Sequence, residues 1–351
     1  MGLEVLSLEG SPREMGGRHG ERLAEGARAM CDTRIELCLQ AAAGRLSRQD
    51  LLALAAESLP VFADFAPEAY AEFGGIAEGA GLGREELLIG NGYTDFVDLV
   101  RRRSASVSEC TAFMVAGEAT TAGSSLLGQT WDMSASAYPH VVAFRRAPRS
   151  APASITLTTA GCLSLVGLNE CGIAVGNTNL TPTDARAGVM YLAVIHTALA
   201  QTTFEAALAV ITDAPRMSGH YYYVGGPTGQ LAGVETTALK HTLLRPGASG
   251  LLAHANHYVD QGLRRSAASE PSRNSLDREA RMWELLRAAA GSHDPGTVAV
   301  ALADHEAPIC RHERPDEEIR TCSVAIMQPA EGRIRLAKGC PCDAPFTDLA
   351  L

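Results

Sequence analysis

Helices and strands gathered in separate blocks, an α+β fold, are what three textures of this sequence predict. The first third is rich in Ala, Leu and Glu, with apolar residues three and four apart. After residue 110, short β-branched runs follow one another between glycines and prolines, and helical periodicity then returns in patches. Strands and helices that do not alternate favour stacked layers over a doubly wound parallel sheet.

The helical stretch runs from Glu21 to about Arg102, with the Gln49–Glu57 segment as its clearest amphipathic piece. Pro60, Pro67 and the glycines at 74, 75, 79, 81 and 83 are expected to divide it into several helices. Arg101 to Ser108 is small and polar, the composition of an exposed linker. Strand-like runs follow at Thr111–Val115, Leu126–Trp131, His140–Phe144, Ile155–Thr159 and Ile173–Val175, spaced as in an antiparallel meander. Helices are predicted at Phe204–Ile211, Asp277–Ala290 and Pro295–Ala303, and further strands at Tyr221–Val224, Leu231–Val234 and Ser323–Met327.

Bulk properties narrow the function classes. A net charge of −10 without a basic run argues against nucleic acid or anionic membrane as partner and leaves small molecules. Met1–Gly10 has no leader-like pattern and no 18 uncharged apolar residues run together, so a cytoplasmic location is expected. Nine dispersed cysteines do not resemble a secreted disulfide scaffold, and in a reducing compartment one of them can be a nucleophile.

Cys110 is the candidate. It stands where the polar linker gives way to the first strand, so its thiol is expected at an accessible strand end. Were the Glu109–Cys110 bond cut, the new α-amine, with an ordinary pKa of about 7.7–8.0, would serve as base for its own thiol. By itself Cys110 reads more readily as a small buried hydrophobe. Its neighbours change the balance: Asp132 falls where a hairpin would lay it beside the cysteine. Polar groups also cluster in the apolar surroundings of Leu252–Tyr258 and Asp304–His312, and an amide and a guanidinium there suit an oxyanion and a carboxylate.

In order along the chain stand Cys110-Thr111-Ala112, Gly128-Gln129-Thr130-Trp131-Asp132, a Gly167, Asn169, Gly172, Asn177 pattern, Ala255-Asn256-His257 and Pro308-Ile309-Cys310-Arg311-His312. This order resembles the isopenicillin N acyltransferase family of autoproteolytic acyltransferases and hydrolases, over nearly the whole chain. The resemblance implies a four-layer αββα sandwich of the N-terminal-nucleophile (Ntn) hydrolase type. It further implies a precursor cut into residues 1–109, the helical small chain, and 110–351, the catalytic chain, which stay together as one domain. By motif, Cys110 is the nucleophile, Asp132 orients its thiol and amine, Asn256 supplies the oxyanion hole and Arg311 lies near the site and supports processing. Thr130, Trp131, Asn177, Tyr222 and His257 are candidates for a substrate pocket. An N-acyl amine or acyl thioester would be the substrate, with no cofactor and a place in secondary metabolism.

Two positions depart from the family pattern. Glu109 stands where the penicillin enzyme has glycine, and Thr130 replaces the usual Asn before Trp-Asp. As an anion Glu109 would repel the attacking thiolate, unless protonated or paired with one of Arg101 to Arg103. It also keeps open an unprocessed, non-catalytic binding protein of the same fold. For Asp132 the plain alternative is a turn residue, for Asn256 a loop amide, for Arg311 a surface ion pair, and for Tyr221–Tyr223 simple packing. A metal-binding reading would draw on His254, His257, His305, Cys310, His312, Cys340 and Cys342, but these lack the close paired spacing of structural zinc sites, and no metal is expected.

Overall fold

The structure, a computed structural model, describes residues 2–101, 109–314 and 318–351. Apart from Arg101, the expected linker lies outside the described residues. The chain opens with strand β1 (Glu4–Gly10) and six helices: α1 (Pro12–Arg22), α2 (Ala24–Ala41), α3 (Arg48–Phe65), α4 (Pro67–Ala80), α5 (Arg84–Asn91) and α6 (Tyr93–Val100). Then come β2 (Glu109–Val115), β3 (Leu126–Ser134), β4 (Val141–Pro148), β5 (Ser154–Thr159), β6 (Val166–Asn169) and β7 (Ala174–Leu180). Helices α7 (Tyr191–Ala198) and α8 (Phe204–Asp213) precede β8 (Gly219–Gly225), β9 (Leu231–Thr236), β10 (His241–Leu244) and β11 (Leu251–His254). The chain ends with α9 (Gln261–Arg264), α10 (Arg273–Ala288), α11 (Pro295–Leu302), β12 (Ile319–Gln328), β13 (Arg333–Lys338) and β14 (Phe346–Ala350).

The strands form two sheets, ordered β1-β4-β5-β6-β7-β8-β9-β10 and β11-β2-β3-β12-β13-β14. β7 packs across β2 and β3, and β6 across β12 and β13, so the sheets lie face to face. Helices α10 and α11 cover the outer side of the smaller sheet, and α7 and α8 that of the larger. The expected αββα layering is therefore present. The single meander expected after residue 110 is split: β2 and β3 belong to the smaller sheet, and the run from β4 to β10 forms the larger. β1 joins that sheet parallel to β4, a strand the sequence reading did not foresee.

The glycines of the first third need the most revision. Gly74, Gly75 and Gly79 do not break the chain but lie inside α4, and Pro60 lies inside α3. A Cβ on Gly75 would meet the Arg13 carbonyl at 2.3 Å, and one on Gly79 the Gly17 carbonyl at 2.4 Å; from the other side Gly16 and Gly20 face Glu72 and Ile76 as closely. Paired glycines thus let the α1 and α4 backbones touch. Real stops are made by Ala66 before Pro67 and by Gly81, whose φ of +66° is left-handed.

Candidate active site

The register of β2 against β3 sets Glu109 opposite Asp132, Cys110 opposite Trp131 and Thr111 opposite Thr130. On the far side of β3, Thr321 of β12 stands opposite Asp132, beside a bulge. The Asp132 amide N–H is directed at the Cys110 sulfur. Its carboxyl Oδ1 accepts from Thr321 Oγ1 at 2.7 Å, while Oδ2 is buried with no hydrogen-bond partner. Burial pushes this carboxyl up to about 8, against the opposing pull of Arg278 and Thr321. Burial, and then the Asp132 charge, pushes the Cys110 thiol up to about 12, so at rest it is protonated.

The Cys110 N–H donates to Asn256 Oδ1 at 2.7 Å. Arg278 Nη2 donates to the same oxygen at 2.9 Å, and Arg278 Nη1 donates to the Cys110 carbonyl at 2.5 Å and to Thr111 Oγ1 at 2.9 Å. Two donors on Oδ1 fix the amide's orientation, and its Nδ2 donates to the Asn179 carbonyl at 3.0 Å. In this state Asn256 holds the nitrogen of the candidate nucleophile. The donor that an oxyanion would need is turned onto Asn179.

Arg278 escaped the sequence reading, which treated its helix as ordinary amphipathic periodicity. One signal was there: the buried stripe of α10 is Ser275, Arg278, Met282 and Leu286, an arginine at a core position. Arg311 pairs with Glu109, both side chains being buried. Among the described residues the compensating cation for Glu109 is Arg311, because residue 311 follows Cys310 in a loop folded back against β12: its N–H donates to Thr321 Oγ1 at 2.8 Å, and its carbonyl accepts the Thr321 N–H. Arg102 and Arg103, two of the three partners expected for Glu109, lie outside the described residues.

Of the pocket candidates, Trp131 and Asn177 line a small cavity with Cys110, Asn179, Tyr191 and His220. Thr130 is engaged between strands instead, its Oγ1 accepting from the Thr111 N–H at 3.3 Å. Tyr222 is buried and lines neither this cavity nor the next. His257, held by Ser275 Oγ at 2.8 Å, lines a second cavity of about 630 Å³ that reaches Asn256 and carries Arg101, Arg264 and Arg265.

The potential metal ligands sort in a way their spacing concealed. His254 is committed to Glu235 at 2.9 Å, and the Cys340 thiol donates to the Arg311 carbonyl at 3.3 Å. His305, Cys310, His312 and Cys342, by contrast, converge, with ligand atoms all within 4.8 Å of one another. Cys342 comes from the turn between β13 and β14, a long-range pairing that no local motif announces.

Residues 119–342 match the family described as acyl-coenzyme A:6-aminopenicillanic acid acyl-transferase. The chain belongs to that family. As a member of this acyl-transferase family it is an enzyme of amide-bond chemistry; the match covers Asp132, Asn256, Arg278 and Arg311 and begins after Cys110. The chain is similar to the 40 kDa form of acyl-coenzyme A:6-aminopenicillanic-acid-acyltransferase from Emericella nidulans, with 25% identity over 293 residues, 82% of this chain and 79% of that one. Among solved structures it is similar to a mutant conjugated bile acid hydrolase from Clostridium perfringens, at 13% identity, 68% and 92% coverage of the two chains and a TM-score of 0.49. A penicillin V acylase from Agrobacterium tumefaciens is similar at 14% identity, 69% and 86% coverage and a TM-score of 0.47.

Proposed function

We propose that this acyl-transferase family member processes itself between Glu109 and Cys110 and then makes or cleaves an amide bond through a Cys110 thioester. The observation that carries this reading is the placing of Cys110: its nitrogen is held by Asn256, and its sulfur faces the N–H of Asp132, a residue whose buried carboxyl has a raised pKa and an unpartnered oxygen. In the first step Sγ attacks the Glu109 carbonyl carbon, and the thiol proton passes to the Asp132 carboxyl in its ionised form, whose population grows as pH rises towards about 8. Collapse breaks the C–N bond as that proton moves to the Cys110 nitrogen, leaving an amine and a thioester. Water then hydrolyses the thioester, releasing Glu109 as a carboxylate and regenerating the thiol.

Thereafter the amine, still held by Asn256, is the base that activates the thiol towards an external acyl group. Arg101, Arg264 and Arg265 around the larger cavity favour a small acyl thioester or N-acyl amine bearing a carboxylate or phosphate. Transfer to an amine gives acyltransferase activity; transfer to water gives hydrolysis. The cytoplasm is the proposed location; among the described residues no helix is long and apolar enough to cross a membrane.

Intact-mass measurement of freshly made and aged protein tests the reading. Wild type is expected to resolve into chains 1–109 and 110–351, and Cys110→Ala to stay whole and inactive. Full turnover of N-acyl amines or acyl thioesters by an uncut chain would sink it.

A further inference from the structure

His305, Cys310 and His312 stand in the loop after α11, and Cys342 in the turn before β14. The Cys310 and Cys342 sulfurs are 3.5 Å apart, His312 Nε2 is 3.2 Å from Cys342 Sγ and 3.8 Å from Cys310 Sγ, and the two histidine Nε2 atoms are 3.1 Å apart. Tetrahedral zinc, with bonds of about 2.3 Å to sulfur and about 2.0–2.1 Å to nitrogen, requires ligand-to-ligand edges of roughly 3.3–3.8 Å. Four of the six edges are thus near those lengths, and the two from His305 to the sulfurs lie within 4.8 Å. Two imidazole nitrogens facing each other can share at most one proton, whereas a cation at the centre satisfies both rings and both sulfurs together.

We propose that His305, Cys310, His312 and Cys342 bind one zinc ion that ties the loop after α11 to the C-terminal turn. Four protein ligands leave no open position, so the ion is structural. Its placing gives it a second consequence: Arg311, between two of the ligands, is the residue paired with Glu109. The zinc therefore fixes the backbone that holds a guanidinium beside the proposed scissile bond. The metal site stands independently of self-processing; only this second consequence rests on that reading.

The test is elemental analysis of the full chain purified without chelator, joined to intact mass. About one zinc per chain is expected, with cobalt(II) exchange giving the intense absorption of a tetrahedral thiolate site. Cys342→Ser and His305→Ala, both at exposed positions, should fold and lose the metal, whereas Cys171→Ser should keep it. Scission by the two metal-free variants should slow by at least about tenfold, since misplacing a group by an ångström can cost about 10²-fold. Wild type that holds no zinc or cobalt after incubation with either, or that carries a Cys310–Cys342 disulfide seen as the loss of two hydrogens, would overturn the site. Zinc bound with unchanged scission would overturn only its link to Arg311.

Discussion

Two buried arginine–carboxylate clusters in this molecule have opposite electrostatics. In one, Glu72 of α4 meets Arg146 of β4 and His196 of α7, with Arg146 Nη2 3.1 Å from His196 Nε2 and His196 Nδ1 3.0 Å from Ser164 Oγ. Burial alone would raise Glu72, but Arg146 and then His196 outweigh it and hold the carboxyl at about 2. In the other, Arg278 is spent on the Cys110 carbonyl, Thr111 and Asn256, and Asp132 is left at about 8 with one oxygen unpartnered. The same residue types thus make an ion pair in one place and leave a carboxyl that holds its proton to about pH 8 in the other. What separates them is where the guanidinium's donors go.

The largest effect should follow from breaking the ion pair. Glu72→Gln is expected to cost about 3–5 kcal/mol near neutral pH, as when one partner of a buried pair is removed. Because the folded pKa is depressed, this stability is present above the ordinary value of 4.5 and lost as pH falls towards about 2. The gap between variant and wild type in urea unfolding should close over that window. A gap that persists at pH 2 would mean the pair is not what Glu72 contributes.

At the other cluster the sharpest substitution is Asn256→Asp. It keeps an acceptor for the Cys110 nitrogen and for Arg278 but removes the amide donor. Scission should therefore survive, while kcat of the cut enzyme falls by about 10²–10³-fold, or about 2.7–4 kcal/mol, the usual loss of one oxyanion donor. Time courses of processing and steady-state kinetics separate the two. An unchanged kcat would place the oxyanion hole elsewhere and leave Asn256 as holder of the amine.

How far these clusters could be read from sequence follows from the range of the contacts. The nearness of Asp132 to the Glu109–Cys110 bond was legible because a hairpin pairs their strands, and the αββα layers because helical and strand textures are local. That Asn256 and Arg311 lie near the Glu109–Cys110 bond was legible only through ordered motifs. Arg278 was not, since its partners lie on β2, 168 residues away in sequence, and on the segment after β11, 22 residues away. The Cys342 pairing and the β1–β4 ladder failed for the same reason, and the α4 glycines failed because a close helix contact and a chain break use the same residue.

Asp132→Asn tests the poised carboxyl through stability as well as activity. A folded pKa raised from 3.8 to about 8 means that the folded state binds a proton the unfolded state has released. Stability from this site therefore declines as pH rises from about 4 to about 8. Asn, which keeps the acceptor for Thr321, should be as stable as wild type near pH 4 and melt a few degrees higher at pH 8, at about 2–4 °C per kcal/mol. It should also fail to process. A variant less stable than wild type at pH 8 would show that the carboxylate is well compensated and that Asp132 resembles Glu72 after all.

The smallest effect is expected at Glu109. Taken as an unaccompanied anion it would hold back the thiolate, and its removal would speed scission; paired with Arg311 it presents little net charge to the sulfur. Glu109→Gln should therefore change the rate of scission by less than about tenfold, within about 1.4 kcal/mol. Arg311→Ala should slow it further, because it leaves a buried carboxylate next to the attacking thiol, and the double variant should recover towards Glu109→Gln. Precursor time courses for the four proteins give the coupling directly. Additive effects would show that Arg311 acts on scission by some route other than neutralising Glu109.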